Sequence, residues 1–83
     1  MQRKRGFFDI IASLLQILEE GACNKTALAS RANLATRSST SYVDILLQFN
    51  LVSKDESRKA FKLTEKGRMF LEEYKKLKMF IEE

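Results

Sequence analysis

The 83-residue sequence contains no histidine, tryptophan or proline, and it has one cysteine and three glycines. Without histidine and with a single thiol, the chain cannot form a zinc finger, an imidazole general base or an internal disulfide. Gly6, Gly21 and Gly67 are isolated and make no phosphate-binding loop. A chain of this length buries one small core and has no deep cleft between lobes. We therefore expect no enzyme, no cofactor, no metal site and no small-molecule substrate.

The charge is modestly basic, with 15 lysines and arginines against 11 acidic residues. Arg3, Lys4 and Arg5 form a basic arm, the middle of the chain is nearly neutral, and residues 53–83 are again basic. This distribution suits a polyanion such as nucleic acid, although solvated surfaces also carry such charges.

The basic arm precedes an apolar stretch over residues 7–18, as it does in some targeting segments. Asp9, Ser13 and Gln16 interrupt this stretch at helical spacing, and the stretch is too short to span a bilayer. We expect no membrane association and a soluble, cytoplasmic protein. The lone thiol agrees with a reducing compartment.

Residues 7–20 have the periodicity of an amphipathic helix, and Gly21 is placed to end it in the left-handed conformation. The apolar face is broad, so a second surface is expected to cover part of it. Phe8 and Leu15 belong to this surplus.

A helix-turn-helix is predicted next. Asn24 is positioned to cap a short helix over residues 25–32, and a turn at 33–35 separates it from a helix over 37–49. Thr36 is the expected N-cap of this later helix. Cys23, which precedes the first of the two, is either a thiol of lowered pKa near a positive helix end or a small buried hydrophobe.

The later helix has two different faces. One side is apolar and is expected to face the core: Tyr42, Val43, Ile45, Leu46 and Phe49. The other side is polar: Arg37, Thr40, Ser41, Asp44 and Gln48. The run over residues 36–41 consists of poor helix formers, which helix stability does not explain. Small hydroxyls and one arginine allow close approach to a major groove, and an extended capping segment is the alternative.

Residues 51–64 change to the pattern of a β-hairpin. Its tip carries Lys54, Arg58 and Lys59 together with Asp55 and Glu56, so it fits a phosphate-contacting wing and a solvated turn equally well. Thr64 is then expected to cap a final helix, in which Gly67 indicates close approach to another element. The order of helix, helix, turn, helix, hairpin and helix is that of a winged helix.

The final helix carries an apolar seam at 4-3-4 spacing: Phe70, Tyr74, Leu77 and Ile81. A compact winged helix does not need a helix of this length, so we expect two copies of the chain to pair through the seam as a homodimer. The same contact would cover the surplus of the first helix. The alternative is that the helix folds back on its own domain.

The sequence also resembles the archaeal winged-helix DNA-binding proteins, over residues 8 to about 77. The likeness lies in Ile10-Ile11, Ile17-Leu18, Lys25-Thr26, Ala32-Asn33-Leu34, Leu46, Leu51-Val52 and Lys62-Leu63-Thr64-Glu65-Lys66-Gly67. The resemblance implies a small dimeric regulator or chromatin-associated protein whose C-terminal helices pair as an antiparallel coiled coil. Two features depart from the family: the C-terminal helix is shorter, and the recognition helix is richer in serine and threonine.

The sequence thus predicts a mainly α fold with a small β-hairpin, divided into an arm (1–6), a winged helix-turn-helix domain (7–64) and a dimerisation helix (65–83). The expected function is that of a sequence-specific, nucleoid-associated transcriptional regulator that places the helix over residues 37–49 in the major groove of double-stranded DNA. The alternatives are an architectural chromatin protein of low specificity and a winged helix used only for protein contact. The expected DNA-binding residues are Lys25, Arg37, Ser38, Thr40, Ser41, Arg58 and Lys59. Phosphate contacts are expected from Lys25, Arg31, Arg58, Lys59 and the arm, with Arg31 ranked below Arg58 and Lys59.

Overall fold

The computed structural model describes residues 6–81, so most of the expected basic arm lies outside the described residues. In chain order the elements are α1 (Phe7–Glu20), α2 (Lys25–Arg31), α3 (Thr36–Gln48), β1 (Val52–Asp55), β2 (Ala60–Leu63) and α4 (Glu65–Ile81). The predicted fold class, mainly α with one β-hairpin, is confirmed.

The core is centred on α1. This helix packs against α2, β2 and α4. Leu14 and Leu15 of its apolar stripe are completely buried. The burial of Leu15 corrects the expectation that a second chain covers this residue: its own chain already does. Phe8, by contrast, remains 60% exposed.

Two of the predicted helix caps are confirmed. The backbone N–H of Ala27 donates to Asn24 Oδ1 at 2.8 Å, and that of Gly67 donates to Thr64 Oγ1 at 3.0 Å. Each side chain thereby satisfies one of the backbone donors that a helix N-terminus leaves without an intrahelical partner. These two bonds fix where α2 and α4 begin.

Two other helix ends differ from expectation. The helix α3 begins at Thr36 itself, one residue early, and Ala35 is its N-cap without a side-chain hydrogen bond. Gly21 ends α1 with φ 159° and ψ 155°, which is not the left-handed conformation. The left-handed stop occurs instead after α3, where Asn50 has φ 62°. Local residue preference predicted that α1 ends and α3 begins near these residues, but it did not predict the backbone conformation there.

The two strands pair antiparallel, with Val52 opposite Leu63 and Asp55 opposite Ala60. A further segment joins the other edge of β2. The N–H of Phe61 donates to the carbonyl of Cys23 at 2.8 Å, and the N–H of Cys23 donates to the carbonyl of Phe61 at 3.3 Å. The loop between α1 and α2 is therefore tied to the hairpin.

The start of α4 crosses very close to the start of the hairpin. A Cβ built on Gly67 would overlap the carbonyl oxygen of Leu51 and lie 2.8 Å from Leu63 Cδ1. The close approach expected at Gly67 is confirmed, and its cause is a backbone contact that leaves no room for any side chain.

The first half of the α4 seam packs on α1. The rings of Phe8 and Phe70 lie 6.4 Å apart, and the Tyr74 hydroxyl donates to a carboxylate oxygen of Asp9. The second half of the seam is more exposed than the first, since Leu77 is 58% and Ile81 69% exposed. The seam is thus divided between an intrachain contact and an uncovered end.

Candidate nucleic-acid interface

The predicted turn connects α2 to α3. Asn33 adopts a left-handed conformation with φ 60°, and the N–H of Leu34 donates to the carbonyl of Ala29 at 2.9 Å. An asparagine tolerates this conformation because its short polar side chain carries little steric penalty there. The turn thereby sets the angle at which α3 leaves α2.

The exposed face of α3 is polar. Its exposed members are Arg37, Ser38, Ser41, Asp44 and Gln48. Three predicted base-reading residues, Arg37, Ser38 and Ser41, are therefore brought together on the first turns of one exposed helix face. The fourth, Thr40, is half-buried and interacts with a neighbour.

The buried face of α3 differs from the expected one at both ends. Val43 and Leu46 are buried as predicted, but Phe49 is 56% exposed, so its assignment to the core is wrong. Ser39 is completely buried, so one of the hydroxyls attributed to groove approach instead serves packing. A small residue is needed there because α3 lies against the core at that point.

Phe49 lies at an apolar groove of about 440 Å³ that sequence reasoning missed. Phe7 and Phe8 of α1 and Phe70 of α4 line the same groove. These aromatic residues come from three segments that are far apart in sequence, so only the tertiary structure brings them together. In the sequence, this groove is indicated only by the aromatic side chains at positions 7, 8, 49 and 70.

The hairpin tip is built around Asp55. Its Oδ1 accepts from the hydroxyl of Ser57 at 2.8 Å and from the N–H groups of Ser57 and Arg58 at 3.1 and 3.4 Å. The hydrogen bond from the Ser57 hydroxyl is the main cause that lowers the pKa of the Asp55 carboxyl. Asp55 therefore shapes the turn, while Arg58 and Lys59 stay exposed at the tip.

The two remaining basic candidates differ in their surroundings. Lys25 lies in the first turn of α2 and is half-buried. Arg31 is directed toward α1, since its Nη2 lies 2.7 Å from Glu20 Oε1. This ion pair agrees with the lower rank given to Arg31 as a phosphate contact.

Cys23 does not have the activated thiol considered above. Partial burial raises the pKa of the Cys23 thiol, and the nearby Arg31 only partly opposes this shift. A thiol of raised pKa carries little thiolate at neutral pH and reacts slowly. The suggestion of a lowered pKa is therefore wrong, and the environment is that of a small hydrophobe.

Within residues 6–81, neither a candidate metal site nor a membrane-spanning helix is found. In that range no three acidic or cysteine side chains group as a metal site would require. None of the helices described there has the length and apolarity needed to cross a bilayer.

Three helices, a turn between the second and third, and a hairpin before a last helix define a winged helix-turn-helix protein. A profile of the winged helix-turn-helix family matches residues 4–82, and the chain belongs to this family. Domains of this family are typically non-enzymatic and DNA-binding, which suggests DNA binding for this chain. The winged-helix resemblance is thus confirmed.

An archaeal relative is also found. The chain is 35% identical over 65 residues to an uncharacterized protein of Methanocaldococcus jannaschii. The matched segment covers 78% of this chain and 65% of the relative, so it spans just under two thirds of the relative's length.

Proposed function

We propose that the protein is a sequence-specific transcriptional regulator that places α3 in the major groove of double-stranded DNA. The observation that carries this proposal is the exposed start of α3, where Arg37, Ser38 and Ser41 share one face. In helix-turn-helix proteins the first residues of the recognition helix reach the base edges. Small hydroxyls keep the helix close to the bases, and an arginine can make a bidentate contact with guanine. Nucleoid association follows from the same proposal.

Arg37→Ala is expected to weaken binding to a selected duplex by about 1 to 3 kcal/mol, because a bidentate arginine–guanine contact has that magnitude. Fluorescence anisotropy on a site selected from random duplexes measures this loss. Arg68→Ala removes the same charge from exposed α4 and serves as the control. Unchanged affinity in both Arg37→Ala and Ser41→Ala would contradict the assignment of α3.

The phosphate contacts are assigned to Lys25 and to the wing residues Arg58 and Lys59. Replacing Arg58 and Lys59 together by alanine is expected to weaken binding to all sequences about equally. The dependence of log affinity on log salt is expected to become shallower by about one unit per lost contact. Arg68→Ala combined with Lys76→Ala removes one arginine and one lysine from α4 as a matched control. A double wing variant that keeps the parental slope makes no backbone contact there.

We further propose that the protein acts as a homodimer paired through α4. In an antiparallel pair, Phe70 lies opposite the partner's Ile81 when Tyr74 lies opposite the partner's Leu77, so the four-residue seam is self-complementary. The single chain leaves Leu77 and Ile81 exposed. In the dimer, each of them would contact an aromatic residue of the partner subunit. A two-fold axis presents two α3 helices to half-sites about one helical turn or a multiple apart, on a roughly palindromic operator.

Affinity for a selected duplex relative to random DNA decides between a regulator and an architectural protein of low specificity. A ratio near one favours the architectural protein. If the protein shows no salt-dependent duplex binding, a winged helix that serves protein contact is the better assignment. The exposed groove beside Phe49 is the feature that such a protein would use.

A further inference from the structure

Asp44 is the one acidic residue between Glu20 and Asp55 in the sequence, and it lies on the exposed face of α3. The same stretch contains four basic residues: Lys25, Arg31, Arg37 and Lys54. Within residues 6–81 no cationic side chain forms an ion pair with Asp44. A solitary carboxylate thus lies in the middle of the surface proposed to face DNA.

Neither helix stability nor general electrostatics explains this residue. Aspartate is a poor helix former, and Asp44 lies well beyond the first turn, where a carboxylate would favour the helix dipole. Near a duplex the carboxylate is repelled by the phosphates, which weakens binding to any sequence. A specific hydrogen-bond donor on the DNA would offset this repulsion.

We infer that Asp44 determines sequence specificity by accepting a hydrogen bond from the N4 amino group of cytosine. This inference rests on the proposed placement of α3 in the major groove. Ser41 and Gln48, at three and four residues' distance, lie on the same helix face, so a helix seated there brings Asp44 to the bases next to those that Ser41 meets. An ionised carboxylate only accepts hydrogen bonds.

The choice of cytosine follows from the base edges in the major groove. Guanine presents the acceptors N7 and O6, and thymine presents O4, so each repels a carboxylate. Adenine offers an amino donor, but its N7 acceptor lies beside it. Cytosine alone presents an amino donor without a neighbouring acceptor on the same base. Asp44 therefore raises the affinity for a site with cytosine at this position and lowers it for the other bases. This difference favours a selected sequence over random DNA.

The experiment compares the natural chain with Asp44→Asn and with Glu72→Gln. Both variants convert an exposed carboxylate to its amide, but Glu72 lies on α4. Binding sites are selected from random duplexes for each protein. Affinities are then measured at one salt concentration for the selected site, for the same site with its cytosine replaced, and for random DNA.

The natural chain and Glu72→Gln are expected to prefer cytosine at one position by about tenfold. Asp44→Asn is expected to lose that preference and to bind random DNA more tightly, because an amide both donates and accepts and carries no charge. An unchanged selected sequence, or a preference for a base other than cytosine that the substitution abolishes, would overturn the inference while leaving the proposed function standing. Absence of duplex binding by the natural chain would instead refute the proposed function, and the inference with it.

Discussion

Gly67→Ala is expected to lower the free energy of unfolding by about 2 kcal/mol, although alanine is the better helix former. The added methyl group would overlap the carbonyl oxygen of Leu51 and crowd Leu63 Cδ1. A backbone carbonyl cannot move aside as a flexible side chain does, so we place the overpacking near the upper part of its usual range, ~3 kcal/mol. The higher helix propensity of alanine offsets about 1 kcal/mol of this loss.

Thermal unfolding followed by circular dichroism checks this expectation, with a shift of about 10 °C in a domain of this size. All proteins must be compared at one concentration, because dimerisation would otherwise change the transition temperature. Gly6→Ala is the matched control, since its methyl group would lie 3.6 Å from Asp9 Oδ2, an ordinary contact. Should Gly67→Ala unfold at or above the parental temperature, the close crossing of α4 over Leu51 is not a stability constraint.

Leu77→Glu is expected to convert a dimer into a monomer. Each dimer contains two copies of the substituted residue. Removing a buried leucine contact of about 2 kcal/mol twice weakens association roughly a thousandfold. Because Leu77 is 58% exposed in the single chain, the substitution is expected to leave the monomer folded. Sedimentation equilibrium at tens of micromolar then gives the 9.6 kDa chain mass for the variant and twice that mass for the natural chain.

Met79→Glu is the control for this experiment. Met79 is 76% exposed on the same helix, but it lies two positions beyond Leu77 and therefore about 200° around the helix axis from the seam. We expect Met79→Glu to remain dimeric. A natural chain that sediments as a single species of 9.6 kDa refutes the dimer.

The elements of this fold were largely predictable because local signals agree with the tertiary structure. Periodicity predicted α1 over residues 7–20, and Asn24 and Thr64 cap the helices they were expected to cap. Gly67 indicated a close approach, because a glycine in the first turn of a helix is unfavourable without such a reason.

The features that sequence reasoning missed depend on contacts between distant segments. Burial of Ser39 and exposure of Phe49 follow from how α3 lies on the core, which a helical wheel drawn for one helix does not contain. The seam of α4 is a similar case. Periodicity identified Phe70, Tyr74, Leu77 and Ile81, but not that the first two are half-buried while the last two stay largely exposed. The DNA contacts of the site stay predictions. Exposed hydroxyls and basic groups can serve several kinds of partner, and a binding measurement is needed to identify the one they contact.

The backbone pairing of Cys23 with Phe61 limits how the proposed DNA interface can change shape. These two backbone bonds close a loop that contains α2, α3 and β1, so the helix pair and the wing are fastened together at one place. A surface assembled in advance loses little conformational entropy on association, which favours affinity. It also adapts little to the shape of its target. On the proposed interface, any adjustment of shape is therefore expected from the duplex, and flexible pyrimidine–purine steps would favour a site even where no side chain touches them.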